Sequence, residues 1–151
     1  EHYQKICGAR LKPVLESIKL MKKLGVWVEI TSLLIPTIND SDDDLRGIAE
    51  FILSVGAETP WHVSRFHPTY KMLDIPSTPV RSVVKAREIG LDVGLRYVYT
   101  GNIPGDNGEN TYCHNCGKTL IQRYGYSISE INIKDSKCAF CDADIDIIQG
   151  H

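Results

Sequence analysis

The segment "VWVEITSLLIPTINDSDDDLRGIAEFILSVG" (residues 26–56) places a strand directly before a helix, and this pairing decides the fold class. Residues 26–35 are largely apolar up to Pro36, which is typical of a strand buried on both faces of a parallel sheet. Ser41 then precedes an acidic turn and an apolar face that repeats at helical spacing as far as Gly56. The segment therefore predicts one strand followed by one amphipathic helix.

The same pattern recurs on both sides of this segment. A helix is predicted over residues 12–24 and another over 77–90, and strands are predicted over 61–66 and 96–101. Such alternation requires right-handed crossovers and a mostly parallel sheet, either an open doubly wound sheet or a barrel. Three strands are too few to close a barrel, so we interpret this α/β part as the second half of a larger fold.

The composition changes after Gly101, where "GNIPGDNGENTY" has three glycines and three asparagines and no apolar periodicity. We predict a linker over residues 103–112. It separates an α/β domain, residues 1–102, from a small β-rich domain, residues 113–151. The small domain has too few apolar residues for an independent core, so we expect a cross-link or a metal ion to hold it together.

Two CxxC pairs in the small domain provide the strongest motif of the chain: Cys113, Cys116, Cys138 and Cys141. Two tight turns can bring four thiolates into the tetrahedron that Zn²⁺ accepts. With all four positions filled by cysteine, the ion has no place for a reacting water, so its role is structural. Rubredoxin-like iron, an iron–sulfur cluster and two disulfides stay open as alternatives. The fifth cysteine, Cys7, is predicted to be a small buried side chain.

Polar side chains within the strands or just after them form a second, weaker signal. His67 follows the second strand, Thr31 lies within the first, and Thr100 and Asn102 lie at the end of the third. Ligand-binding groups of parallel α/β folds gather at the carboxyl ends of strands. These four residues are therefore candidates for cofactor binding, and a turn-capping role is the alternative for His67.

Composition narrows the function classes. The 17 basic and 19 acidic residues give a net charge of -2 without a long run of one sign, which argues against nucleic-acid or anionic-membrane partners. No apolar run approaches the roughly 18 residues of a membrane span, and residues 1–10 lack the pattern of a signal peptide. We expect a soluble, cytoplasmic protein.

The motifs in combination resemble a known family. Residues 6–52, the run "TPWHVSRFHPTYKM" (59–72), "YVYTGN" (97–102) and the terminal CxxC pairs resemble the C-terminal half of radical SAM enzymes related to pyruvate formate-lyase activating enzymes. The resemblance is greatest to the AmmeMemoRadiSam-system radical SAM proteins. It implies the later half of a partial (β/α)6, TIM-like barrel, followed by a small zinc-ribbon or rubredoxin-like β domain.

The resemblance also implies an activity for the longer parent enzyme. Members of the family use a CxxxCxxC loop to hold a [4Fe-4S] cluster that reductively cleaves S-adenosylmethionine. No CxxxCxxC occurs in this sequence. We therefore expect the cluster loop upstream of Glu1, no catalytic residue in the chain itself, and no activity of the chain alone. A protein substrate and a small-molecule substrate are both compatible with the resemblance.

Two residues can be compared with the family's cofactor site. His67 falls on a histidine that helps to bind S-adenosylmethionine in the activating enzymes. Thr31 stands where those enzymes have an arginine, and a hydroxyl cannot replace a guanidinium in pairing with a carboxylate. A rival interpretation from another class is a non-catalytic zinc-ribbon adaptor whose α/β part is a scaffold for protein contacts.

Overall fold

The computed structural model of the chain describes residues 2–148, and a parallel sheet with the strand order β1-β2-β3 organises its first part. Ile30 lies opposite Trp61, which lies opposite Val98, so the three strands are in register. The strands are β1 (Ile30–Leu34), β2 (Trp61–Arg65) and β3 (Val98–Gly101), and the helices are α1 (His2–Cys7), α2 (Leu11–Lys23), α3 (Asp42–Val55) and α4 (Val80–Val93).

The helices that pack on this sheet cover one of its faces. Side chains from α3 and α4 form a common core with the strand residues that face these helices. Gly90 allows α4 to approach closely, because a Cβ at this position would lie 2.9 Å from the ring of Trp61. The fully buried members of this core include Leu34, Leu45, Ala49, Ile52, Trp61, Val63, Val83 and Ala86.

The opposite face of the sheet is open. Thr31 and Leu33 on β1 are exposed, and His62, Ser64 and Tyr99 beside them are only partly buried. The prediction of a strand buried on both faces is therefore wrong for residues 26–35, and the strand begins only at Ile30. The physical reason is that the described helices pack against only one face of the sheet, so no helix buries the other face.

Local hydrogen bonds explain where the helices begin. Ser41 caps α3 by accepting a bond from the backbone N–H of Asp44 at 3.2 Å, as predicted. The helix predicted from residue 77 begins only at Val80, because Thr78 bonds instead to the ends of two strands.

The α1 helix was not predicted. Cys7 at its end is exposed, so the prediction that Cys7 is a buried side chain is wrong.

The C-terminal part, which we call the ribbon (residues 111–148), contains only β-strands. It follows a 3-10 turn at Asn107–Glu109. Its small core consists of Leu120, Ile145 and two of the cysteines. Asp146 ties it to the α/β part by accepting bonds from Arg96 at 2.7 Å and from the hydroxyl of Tyr97 at 3.1 Å. The strands are β4 (Thr111–Tyr112), β5 (Thr119–Tyr124), β6 (Ser127–Ile131), β7 (Ile133–Lys134) and β8 (Lys137–Cys138).

Candidate metal centre

The fold brings together the four cysteines of the two CxxC pairs. All four Sγ atoms lie within 4.8 Å of one another. The sulfurs of Cys113 and Cys141 are 3.7 Å apart, and those of Cys116 and Cys138 are 3.8 Å apart. A tetrahedral ion with metal–sulfur distances of about 2.3 Å requires sulfurs separated by just under 4 Å, so the cluster has the size of a four-thiolate metal site.

The first pair lies in a tight turn that positions both of its sulfurs. The backbone N–H of Gly117 donates to the carbonyl of Cys113 at 2.9 Å, and the N–H of Cys113 donates to the carbonyl of Lys118 at 2.9 Å. These two bonds fold the chain back on itself around the thiol of Cys116.

The second pair repeats the same turn. The N–H of Asp142 donates to the carbonyl of Cys138 at 2.9 Å, and the N–H of Cys138 donates to the carbonyl of Ala143 at 2.9 Å. In both turns the residue after the second cysteine has a positive φ, which is +71° at Gly117 and +60° at Asp142. The two CxxC turns, hereafter the two knuckles, are therefore equivalent in backbone geometry although their sequences differ.

The electrostatics of the cluster favour a bound cation. Hydrogen bonds from the amide of Asn115 and the backbone N–H of Ala143 lower the pKa of Cys141 to about 6. The backbone N–H of Lys118 lowers the pKa of Cys116, but partial desolvation and hydrogen bonds with the three neighbouring thiols together outweigh it and raise the pKa to about 11. Four thiols at this distance cannot all ionise without a positive charge among them. The soft donor set matches Zn²⁺ or iron, so the residues present fit such an ion.

Two of the four cysteines belong to the core of the ribbon. Cys113 and Cys138 are buried, and they belong to the same small core as Leu120 and Ile145. All four positions of a tetrahedral ion would be occupied by sulfur, which leaves no position for a substrate or a water. His114, between the first two cysteines, is exposed and bonds the carbonyl of Asp144 at 3.1 Å, so it is not a ligand.

The predicted cofactor residues are spread over the sheet. His67 is exposed two residues beyond the end of β2, with its Nδ1 3.5 Å from the hydroxyl of Ser77. Asn102 follows β3 with φ +62°, and its amide donates to the carbonyl of Arg65 at 3.1 Å. Both residues thus lie at the carboxyl edge of the sheet.

Thr31 and Thr100 lie on opposite faces. Thr31 is on the open face of β1, whereas Thr100 on β3 is buried on the helix-covered face, where its hydroxyl donates to the carboxylate of Asp106. The structure therefore does not bring these two hydroxyls together. The role of His67, Asn102 and the two threonines in cofactor binding stays a prediction.

Sequence reasoning missed Thr78, a fully buried residue that organises the carboxyl edge. Its hydroxyl donates to the carbonyl of Leu34 and accepts from the N–H of Phe66 at 3.2 Å, so it joins the ends of β1 and β2. Its carbonyl also accepts a bond from Arg65 at 2.7 Å. In the sequence, a threonine before a proline indicates only the start of a helix. No local pattern predicts that its hydroxyl bonds to the ends of two distant strands.

Comparisons with known proteins support the fold. No profile of a known protein family matches the chain. An uncharacterized protein of Methanocaldococcus jannaschii is 50% identical over 151 residues, which cover 98% of this chain and 45% of that protein. The crystal structure of a domain of pyruvate-formate lyase-activating enzyme from Bacteroides vulgatus is similar, with a TM-score of 0.59 and 18% identity, over 67% of this chain and 60% of that chain.

The similarity to the activating-enzyme domain supports a mixed α/β fold over 67% of the chain and leaves the activity open. The predicted resemblance to activating enzymes is confirmed as a mixed α/β fold similar to an activating-enzyme domain. The chain spans less than half the length of its archaeal relative. The assignment to the AmmeMemoRadiSam-system proteins, the partial barrel and the zinc-ribbon type of the small domain stay predictions. None of the helices within residues 2–148 has the length and hydropathy needed to cross a membrane.

Proposed function

We propose that the chain is the C-terminal part of a radical SAM enzyme of the activating-enzyme type. The observation that carries this proposal is the one-sided sheet, whose fold is similar to that of an activating-enzyme domain. In a partial barrel, helices cover the outer face of the strands and the inner face lines the reaction chamber. The open face with Thr31, His62 and Tyr99 would then be the inner face.

The length of the archaeal relative is compatible with this proposal. This chain matches 45% of that protein, which leaves room for earlier strands and a cluster-binding loop. In enzymes of this type one electron from a [4Fe-4S] cluster cleaves S-adenosylmethionine. The chain itself would contribute binding groups at the carboxyl edge of the sheet rather than the cluster.

Two residues at that edge are the best placed for the cofactor. His67 is exposed and has one weak contact, so its imidazole is free to bond a ligand. Asn102 already uses its amide N–H on Arg65, which leaves its side-chain oxygen as an acceptor. Both residues follow the carboxyl ends of their strands, which is the end of a sheet where parallel α/β folds bind ligands.

We further propose that the four cysteines hold one structural Zn²⁺ ion. The supporting observation is the set of four sulfurs within 4.8 Å of one another, with no position left for other ligands. Iron in a rubredoxin-like site is the rival. Elemental analysis of the purified chain separates the two, since about one zinc per chain without iron supports our assignment and stoichiometric iron contradicts it.

The enzymatic proposal is tested on the full-length archaeal relative and on this chain, both prepared anaerobically. After reconstitution with iron and sulfide, the full-length protein should release 5'-deoxyadenosine from S-adenosylmethionine under reducing conditions, whereas this chain should release none. Alanine at the position equivalent to His67 should weaken cofactor binding in the full-length protein. Absence of cleavage by a cluster-loaded full-length protein would support the non-catalytic adaptor instead.

A further inference from the structure

A large cavity lies between the open face of the sheet and the ribbon. Its volume is about 960 Å³, which is within the range of small-molecule sites. Residues from the α/β part, including Glu29, His62 and Tyr99, line one side, and Arg123 of β5 lines the other. The four cysteines and His67 lie outside its wall, whereas the cofactor candidates Thr100 and Asn102 belong to it.

A continuous series of contacting side chains, hereafter the ladder, runs along the cavity wall from Trp27 in the α/β part to Arg123 in the ribbon. The Trp27 indole donates to one oxygen of Glu29 at 3.0 Å, and the second oxygen lies 2.8 Å from Nε2 of His62. The His62 ring stacks on Tyr99 with centroids 5.0 Å apart, and the Arg123 guanidinium lies over Tyr99 at 5.8 Å. The wall thus offers planar groups held in fixed positions.

The carboxylates on this wall are already satisfied by protein donors. Burial raises the pKa of Glu29, but its hydrogen bonds with Trp27 and His62 outweigh that effect and keep the pKa below its ordinary value. The other carboxylates also have partners, as Asp146 accepts from Arg96 and Tyr97, and Glu109 accepts from the N–H of Gly125. A cationic ligand would therefore find no free carboxylate on this part of the wall.

Arg123, in contrast to these carboxylates, bonds to neutral acceptors and has no charged partner among the described residues. Its Nη1 donates to the hydroxyl of Thr111 at 2.7 Å and to the carbonyl of Glu109 at 3.3 Å, and both acceptors are neutral. Within residues 2–148 no carboxylate comes close enough to Arg123 to form an ion pair. A guanidinium has five N–H donors in a planar fork, so the bonds of Arg123 to Thr111, Glu109 and the Tyr99 hydroxyl leave donors to pair with an anion in the cavity.

We propose that this cavity binds a small planar carboxylic acid, whose carboxylate pairs with Arg123 and whose ring packs against the aromatic wall. A singly charged group is favoured over a phosphate dianion, because the carboxylates of Glu29 and Glu109 lie on the same wall. Aromatic side chains supply stacking surface for a flat ligand. The cavity shares His62, Tyr99 and Asn102 with the site of the proposed function, but benzoate binding requires neither the cluster nor S-adenosylmethionine, so the two proposals can fail separately.

The test uses the full 151-residue chain loaded with zinc and follows backbone amides by ¹⁵N NMR. The probes are benzoate, the neutral analogue benzamide and phenyl phosphate. We expect benzoate to shift the signals of His62, Tyr99 and Arg123 saturably, and to bind roughly tenfold or more tightly than benzamide, because a charge-assisted hydrogen bond contributes more than a neutral one. Phenyl phosphate should bind more weakly than benzoate.

The Arg123→Gln variant should weaken benzoate binding by roughly tenfold or more. Its matched control is Arg81→Gln on the exposed side of α4, which should bind like the unaltered chain. Equal binding of benzoate by the Arg123 variant, no saturable shift with benzoate, or tighter binding of phenyl phosphate overturns the proposal. If Arg123→Gln fails to fold, the benzoate-to-benzamide ratio on the unaltered chain decides the question alone.

Discussion

The equivalence of the two knuckles leads to a prediction about metal affinity. Gly117 has φ +71°, and no atom lies within 4 Å of the Cβ that an alanine would add. The cost of Gly117→Ala is therefore that of the backbone alone, about 1–2 kcal/mol for an L-residue in the left-handed region. Since metal binding and folding of such a small site are coupled, we expect a zinc affinity roughly 5- to 30-fold weaker.

The second knuckle provides the reverse experiment. Asp142 occupies the equivalent position with φ +60°, and aspartate tolerates this conformation better than alanine does. Asp142→Gly should therefore tighten zinc binding slightly, by about 0.5 kcal/mol or roughly twofold. Gly117→Ala should therefore weaken zinc binding and Asp142→Gly should strengthen it, although each substitution replaces the residue that follows a ligand cysteine.

The assay is competition for zinc with a chelator of known affinity. Gly47→Ala in α3 is the control, because Gly47 has no atom within 4 Å of the added Cβ and no positive φ. The control should stabilise the α/β part by about 1 kcal/mol and leave zinc affinity unchanged. If Gly117→Ala binds zinc as tightly as the unaltered chain does, the argument from knuckle geometry is wrong.

Three further predictions concern the α/β part. Gly90→Ala should destabilise it by about 1–2 kcal/mol in urea unfolding, because the added Cβ lies 2.9 Å from the buried ring of Trp61 and this clash exceeds the gain in helix propensity. Thr78→Val should lower the free energy of unfolding by about 1–3 kcal/mol in the same measurement, since it leaves the N–H of Phe66 and the carbonyl of Leu34 unpaired. An unchanged urea midpoint would show that these two hydrogen bonds are dispensable. The pKa of Glu29 is lower in the folded state, so its stabilising contribution is present above the ordinary value of 4.5 and is lost as the pH falls through the lower folded pKa. Glu29→Gln should therefore show a smaller fall in melting temperature on acidification than the unaltered chain, and an equal fall would contradict this.

Local patterns predicted the elements whose signals lie in a few adjacent residues. The capping residue Ser41 and the stop at Gly56 predicted α3 within three residues of its observed bounds, Asp42–Val55. The CxxC spacing predicted which four thiols meet, since each pair fixes two ligands within one turn. In both cases the interactions that decide the structure are local.

Elements decided by distant contacts were predicted less well. The run of apolar residues in β1 was interpreted as burial on both faces, but whether helices cover a face depends on the rest of the fold, and here Leu33 is 45% exposed. Thr78 and the ladder through His62 join residues far apart in the sequence. Their partners could not be identified without the register of the sheet.

If one metal ion on four cysteines holds the ribbon together, removal of the metal should unfold the ribbon alone. We would record the ¹⁵N NMR spectrum of the metal-loaded chain before and after exhaustive chelation under reducing conditions. We expect the dispersed signals of the ribbon, residues 111–148, to collapse while those of the parallel sheet, residues 30–101, persist, and one added Zn²⁺ per chain to restore the ribbon signals. An unchanged ribbon spectrum after complete metal removal would show that no metal ion holds the ribbon together.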